Sequence, residues 1–132
     1  MTLFSESCVQ VGPPVKLGDD GFDAARVVPI LGGTVTGPSL NGRILPGGAD
    51  EQRIRADGLT RIRARYLIET EQGGLVRVSS QGLRHGPPEE MAALLRGEPV
   101  DPAQVWFRAV IRLETADKTQ DTLNFDMWLA TG

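Results

Sequence analysis

Hydrophobic and polar residues alternate along most of this chain in short runs that glycine and proline interrupt. The alternation is clearest over 104–115, where every second residue is apolar and most residues between them are charged. A period of two is typical of a strand with one buried and one exposed face. The stretch is therefore predicted as a two-faced strand, and its more polar face carries Trp106, Arg108 and Glu114.

Further short strands are predicted between residues that signal turns, such as glycine and proline. Asp57-Gly58 is the strongest of these signals, because this pair suits the positive φ angles of a two-residue type I′ hairpin. A loop of that length would place Asp50 directly opposite Arg65, where they would form either a structural ion pair or part of a site. The other predicted strands span 3–11, 25–31, 51–56, 59–70, 75–80 and 123–130, with an extended piece around Val35.

Helical spacing is found in one segment, 88–96, where Met91, Leu94 and Leu95 recur at i, i+3 and i+4. Pro88 suits the first turn and Gly97 the end of a helix. Seven or eight strands with one short helix favour an all-β antiparallel fold over an alternating α/β fold. A closed barrel, lipocalin-like in outline, is preferred to a sandwich because it leaves no open edge.

Composition and charge narrow the choice of function. The 132 residues fit one domain, 1–132, and carry a net charge of −3, which argues against a nucleic-acid partner. No apolar run approaches the roughly 20 residues needed to span a bilayer, and the N-terminus lacks the pattern of a signal peptide. We therefore expect no membrane partner and a cytoplasmic location. The single Cys8 agrees with a reducing compartment, because it cannot form a disulfide within the chain.

Common catalytic motifs are missing from the sequence. His85 is the only histidine, and no cysteine or carboxylate cluster has metal-ligand spacing around it. A Ser-His-Asp triad would have to use His85, and no serine lies in a nucleophile-elbow sequence. We expect no metal and no cofactor.

Several segments, in order along nearly the whole chain, resemble the domain of unknown function 3237 family. They are GGTVTGPSLNGRILPGGAD at 32–50, the ADG turn, ARY at 64–66, WFRAVIRLET at 106–115 and Leu123-Asn124. The resemblance implies a small bacterial β-barrel, usually without metal, whose members share no established activity. The family's recurrent polar positions fall here on Asp50, Asp57, Arg65, Tyr66, Arg108, Glu114 and Asn124.

The chain departs from the family pattern in two places. Gln120 and Thr122 stand where the family typically has Tyr and Trp, which implies a wider or more polar pocket. The chain ends at Gly132, where relatives usually continue into a further strand. Either the barrel closes differently, for example through a partner subunit in a homodimer, or this chain is a shorter member.

Three functions fit these residues. The preferred one is an enzyme without metal or redox cofactor that rearranges, cyclises or dehydrates a small organic molecule, because the polar residues are numerous and varied. Its expected catalytic residues are Asp50, Tyr66 and Arg108, which would supply an acid, a base and a stabiliser of developing charge. The alternatives are a non-catalytic binding barrel, in which Arg65 or Arg108 clamps a ligand carboxylate, and a purely structural subunit. The expected substrate contacts are Arg65, Trp106, Glu114 and Asn124.

Overall fold

The computed structural model describes residues 4–19, 21, 23–125 and 127–131. In this part of the chain, nine strands form one antiparallel sheet, accompanied by one α-helix and two short 3-10 helices. The strands are β1 (Glu6–Val11), β2 (Val15–Asp19), β3 (Asp23–Thr36), β4 (Gly42–Ile44), β5 (Gly48–Arg55), β6 (Thr60–Thr70), β7 (Leu75–His85), β8 (Trp106–Thr115) and β9 (Met127–Thr131). The α-helix is α1 (Pro88–Leu95), and the 3-10 helices span Pro102–Gln104 and Lys118–Phe125.

The nine strands occupy seven positions across the sheet. β1 and β2 pair one after the other with the same side of β3, while β4 and β5 pair with its other side. β4 and β5 also pair with β6, and the sheet continues through β7 and β8 to β9. Seven or eight strands were predicted. The number of positions across the sheet is seven, and the number of strands is nine because two positions each contain two strands.

Regular pairing breaks at one level across three neighbouring strands. The gap between β1 and β2 lies beside 28–29, while the gap between β4 and β5 and a register shift in β3 lie beside 30–32. Gly33 lies just beyond the break with φ 142°, and a Cβ atom there would clash with the carbonyl oxygen of Cys8. Glycine is required because the backbones of β1 and β3 approach closely.

Buried side chains lie on one face of the sheet, here called the inner face. Below the level of the break, towards Val35 and Ile68, this face holds the main apolar core. Burial of these branched side chains provides the dominant favourable contribution to folding. The core consists of Ile30, Val35, Leu40, Ile44, Ile68, Val76, Val78, Leu113 and Leu123.

The two ends of the sheet meet through aromatic side chains. The ring of Phe4, just before β1, stacks on that of Trp128 in β9, with ring centroids 4.1 Å apart. The sheet must curl strongly for its first and last strands to approach in this way. Among the described residues, the backbone pairing runs from β1 to β9 without a ladder that joins these two strands directly.

The predicted all-β antiparallel class is confirmed, and several element ends differ from prediction. β3 and β7 extend to Thr36 and His85, while the last strand begins at Met127 after a 3-10 segment. The start of the first predicted strand, at Leu3, lies outside the described residues. Within the described part of the chain, no helix has the length and apolar character needed to cross a membrane.

Candidate active site

The turn between β5 and β6 decides which side chains enter the interior. Arg55 N donates to Leu59 O at 2.9 Å, and Gly58 N donates to Arg55 O at 2.8 Å. Gly58 has φ 91°, whereas no described non-glycine residue has a positive φ. This is the geometry of a three-residue loop, a type I turn followed by a left-handed glycine, rather than the predicted two-residue type I′ turn.

The longer loop shifts the register by one residue. Asp50 lies opposite Ala64, and Arg65 lies opposite Ala49, so the predicted Asp50–Arg65 pair is wrong. Because successive side chains of a strand point to opposite faces, one residue of slip moves a side chain across the sheet. Asp50 thus lies on the inner face and Arg65 on the outer face.

Four side chains from three strands form what is here called the inner polar cluster, consisting of Arg26, Asp50, Gln52 and Arg84. Arg26 Nε in β3 donates to Gln52 Oε1 at 2.6 Å, and Gln52 Nε2 donates to Asp50 Oδ2 at 3.1 Å. Arg26 and Gln52 face each other across β3 and β5, which places this chain of hydrogen bonds along the inner face.

Asp50 is the only carboxyl group in this cluster. Its Oδ1 atom is buried and has no hydrogen-bond partner among the described residues. Burial raises the pKa of Asp50, while the Gln52 hydrogen bond and the charges of Arg84 and Arg26 oppose this shift. The carboxyl group is therefore moved towards the range in which it exchanges protons near neutral pH.

Arg84 reaches the cluster from β7, where it lies opposite Thr60 on one side and Phe107 on the other. Its Nε and Nη2 atoms are buried and have no hydrogen-bond partner among the described residues. Burial and the like charge of Arg26 lower the pKa of Arg84, and the charge of Asp50 opposes them. Burial likewise lowers the pKa of Arg26.

Short side chains occupy the inner face across the strands next to Asp50. The cross-strand row that begins at Asp50 continues through Ala64 and Ser80 before it reaches Ile111 and Trp128. The neighbouring row runs from Gln52 through Ile62 to three small residues, Gly82, Ala109 and Ala130.

Tyr66 lies on the same inner face, two residues along β6 from Ala64. Its side chain packs against the apolar core, and its hydroxyl group shares a hydrogen bond with the side chain of Ser7. Burial raises the pKa of Tyr66. Tyr66 therefore marks the boundary between the inner polar cluster and the apolar core.

A cleft of about 330 Å³ opens at the end of the sheet nearest Arg84. It lies between the β5–β6 turn and α1, and its walls include Ala24, Ile54 and Leu95. Ala24 and Ile54 belong to the cross-strand row that continues through Thr60 to Arg84. The cleft therefore lies at the same end of the sheet as Arg84.

Four predicted site residues lie on the outer face. Arg65 in β6 and Trp106, Arg108 and Glu114 in β8 are all exposed. The buried residues of β8, Ala109 and Leu113, alternate with exposed ones and face the interior. Arg108 Nη1 donates to the carbonyl oxygen of Phe107 at 2.6 Å, and its guanidinium lies 5.3 Å from the centre of the Trp106 ring. The polar face of this strand therefore points to solvent and not into the interior.

Asn124 holds the chain segment between β8 and β9 in place. Its Oδ1 accepts from Thr115 N at 2.7 Å, and its Nδ2 donates to Thr115 O at 2.9 Å. Both polar ends of this side chain are thus engaged with one backbone position, and the contacts are structural.

Arg26, Gln52 and Arg84 were not among the predicted site residues. For Arg26 a signal existed, since it alternates with Val28 and Ile30 in a predicted strand and therefore shares their buried face. For Arg84 the signal was lost because the predicted strand ended at Ser80, which left Arg84 in a loop. In the structure β7 continues to His85, and Arg84 follows Ser80 and Gly82 on the inner face.

Comparison with known sequences identifies the family of this chain. The sequence model of the DUF3237 family, proteins of unknown function, matches residues 1–132. The chain belongs to this family. A UPF0311 protein of Bradyrhizobium diazoefficiens is 45% identical over 106 residues, which cover 80% of this chain and 69% of that protein.

Solved structures of similar proteins share the fold. A protein of unknown function from Rhodopseudomonas palustris is 36% identical with a TM-score of 0.88, over 99% of this chain and 89% of that one. A protein from Acinetobacter baumannii described as β-barrel-like is 33% identical with a TM-score of 0.77, over 96% of this chain and 86% of that one. The curled antiparallel sheet is therefore shared with experimentally determined structures.

Proposed function

We propose that this DUF3237 protein is an enzyme that rearranges, cyclises or dehydrates a small organic molecule by acid/base catalysis in the interior of the curled sheet. The observation that carries the proposal is the inner polar cluster. It places a half-buried carboxyl group with a buried, unpartnered oxygen near a half-buried guanidinium group with two buried, unpartnered nitrogens. Buried polar atoms normally have partners, so such groups are typical of a functional site.

Asp50 is the proposed proton-transfer group. The pKa of a useful general base lies near the working pH, and burial moves the pKa of Asp50 in that direction. As a base, its unpartnered Oδ1 would accept a proton from a carbon or hydroxyl group of the substrate. The hydrogen bond from Gln52 to Oδ2 would hold the carboxyl group in place during the transfer.

Arg84 and Arg26 are the proposed stabilisers of developing negative charge. Removal of a proton beside a carbonyl group, or from a hydroxyl group, leaves charge on an oxygen atom. Fixed cationic donors lower the energy of such a transition state. Arg84 takes the role that the sequence reasoning gave to Arg108, which lies on the outer face.

Tyr66 is the proposed second proton carrier. Diagonal neighbours across two strands lie about 7–8 Å apart, so Tyr66 and Asp50 could act on two ends of one small molecule. Burial keeps the Tyr66 hydroxyl protonated, which suits the donation of a proton to a leaving hydroxyl group. Its hydrogen bond with Ser7 would fix its orientation.

The interior is proposed to be that of a closed barrel. The stack of Phe4 on Trp128 supports closure because it brings the two ends of the sheet together. The β-barrel-like relative from Acinetobacter baumannii supports the same architecture. Substrate would enter at the cleft between α1 and the β5–β6 turn.

The test is turnover of small carbonyl and hydroxycarbonyl compounds in D₂O, followed by NMR. We expect the wild type to isomerise, cyclise, dehydrate or deuterate at least one compound. Asp50→Asn should lower that rate by roughly 10²–10⁴-fold, the usual contribution of a general base. If Asp50 acts as the base, the rate should rise with pH through the raised pKa of Asp50.

Glu51→Gln is the matched control, because Glu51 is the next residue of β5 and is exposed on the outer face. It should leave the rate unchanged. An Asp50→Asn variant that keeps the full rate would contradict the proposal. Compounds that bind without any chemical change would favour the non-catalytic barrel, with Arg84 rather than Arg65 or Arg108 as its carboxylate clamp.

A further inference from the structure

The edge of the Arg84 guanidinium formed by Nε and Nη2 is buried and unpartnered within the described part of the chain. These two nitrogens carry parallel N–H groups. They match the spacing of the two oxygens of a carboxylate, which they bind in a fork-like, bidentate pair. An unpaired edge of this kind inside a protein is costly, because the donors have left water without gaining acceptors.

Other arginines of this chain show the pairing that Arg84 lacks. Arg55 uses the same two nitrogens to bind Asp57, with Nε to Oδ1 at 2.9 Å and Nη2 to Oδ2 at 2.6 Å. Arg96 likewise places Nε and Nη2 on a carboxylate oxygen of Glu98, at 2.7 and 2.6 Å. These are surface pairs, whereas the edge of Arg84 is buried.

The carboxyl group of the inner polar cluster, Asp50, does not accept hydrogen bonds from Nε and Nη2 of Arg84. It accepts a hydrogen bond from Gln52 instead, and its free oxygen has no partner among the described residues. The cluster therefore holds two guanidinium groups, from Arg26 and Arg84, against a single carboxyl group. With Asp50 ionised the cluster still carries one excess positive charge, and with Asp50 neutral it carries two.

We infer that the substrate of this site carries a carboxylate group, which binds edge-on to Arg84 through Nε and Nη2. The inference rests on the proposed function only in taking the interior as the substrate site. A carboxylate supplies two acceptors to the two unpartnered donors and compensates the excess charge of Arg26 and Arg84. A neutral amide of the same shape presents an NH₂ group to one of the donors and leaves it unpaired, so it should bind poorly.

The experiment compares two carboxylates with their amides. Acetate and benzoate, and as controls acetamide and benzamide, are titrated into the full chain while the side-chain Nε–H resonances of the arginines are followed by NMR. We expect saturable shifts of the Arg84 resonance, assigned by its loss in Arg84→Lys, for at least one carboxylate. The corresponding amide should bind at least tenfold more weakly.

Arg84→Lys keeps a positive charge but removes the forked edge, so it should weaken carboxylate binding by at least tenfold. Arg77→Lys is the matched control, since Arg77 lies on the same strand and is exposed on the outer face. It should bind acetate and benzoate as the wild type does. Equal binding by Arg84→Lys and the wild type, equal binding of amide and carboxylate, or no shift of the Arg84 resonance with either acid would overturn the inference.

Asp50→Asn separates this inference from the proposed function. It removes the one negative charge near Arg84, so carboxylate binding should be retained or become tighter while turnover is lost. Turnover that depends on Asp50, together with no carboxylate binding at Arg84, would overturn the inference alone. Carboxylate binding at Arg84 without any Asp50-dependent turnover would overturn the proposed function alone.

Discussion

At the scale of single residues, Asp50 is held in surroundings that favour its neutral form. Burial raises its pKa more strongly than Gln52, Arg84 and Arg26 lower it. A carboxyl group whose folded-state pKa is raised stabilises the folded protein fully only below its unfolded pKa. That contribution is lost as the pH rises through the folded pKa.

We therefore expect the wild type to lose stability relative to Asp50→Asn as the pH rises from about 4, the usual pKa of an aspartate, towards neutrality. The charged and titratable groups that face Asp50 are Arg26, Arg84 and Tyr66, and both arginines stay charged over this interval. Urea unfolding at several pH values measures the difference in free energy of unfolding between the two proteins. A difference that does not change with pH would show that Asp50 titrates at its ordinary pKa.

Only part of this site could be predicted from residue types. Asp50 and Tyr66 were predicted as members of an interior site and lie on the inner face, although Ala64 rather than Arg65 lies opposite Asp50. Arg108 and Arg65 were expected there too, yet they are exposed. A charged strand face has the same pattern whether it points to solvent or lines a polar interior, and the period of two cannot distinguish these cases.

At the scale of elements, the β5–β6 turn and α1 depend on each other. Met91 is the buried residue of α1, and a Cβ atom on Gly58 would lie only 2.7 Å from the Cβ of Met91. The absence of a side chain at Gly58 thus allows the helix to pack on the turn that sets the register of Asp50. The same glycine adopts φ 91°, which other residues rarely adopt.

Gly58→Ala is expected to destabilise the protein through both effects. Gly73→Ala is the matched control, because Gly73 has a similar φ of 86° but open space where a Cβ atom would lie. The control should lose about 1–2 kcal/mol from backbone strain, and Gly58→Ala should lose at least about 1 kcal/mol more from the clash with Met91. If urea unfolding gave equal losses in the free energy of unfolding for the two variants, α1 would be able to move away from the turn at no energetic cost.

The elements themselves were largely predictable from alternation and turn residues, and their register was not. The strands at 51–56, 59–70 and 104–115 appear with small changes at their ends. Asp57-Gly58 suits both a two-residue turn and a three-residue turn that ends in a left-handed glycine. The choice depends on packing around the turn, including the contact with Met91, which short-range sequence patterns do not contain.

At the scale of the whole molecule, the curled sheet is held at its ends by side chains. Phe4 and Trp128 come from opposite ends of the described chain, and their stacked rings join the first and last strands. Aromatic pairs of this kind contribute about 0.5–1.5 kcal/mol beyond the burial of their area.

A double-mutant cycle with Phe4→Leu and Trp128→Leu should give a coupling free energy of about 0.5–1.5 kcal/mol. The control cycle pairs Phe4→Leu with Trp106→Leu, because Trp106 lies on the outer face beside His85, and its coupling should be close to zero. Unfolding followed by circular dichroism measures both cycles without relying on tryptophan fluorescence. Similar coupling in the two cycles would show that the stack does not hold the sheet ends together.

The break in pairing at 28–32 divides the interior into an end that holds the main apolar core and an end that holds the inner polar cluster. The apolar core that supports folding lies on one side of this level, while Arg26, Asp50 and Gln52 lie on the other. Substitutions at the polar end can therefore alter the chemistry with little disturbance of this main core. Such a division allows one scaffold to diverge towards new substrates during evolution while its main core stays unchanged.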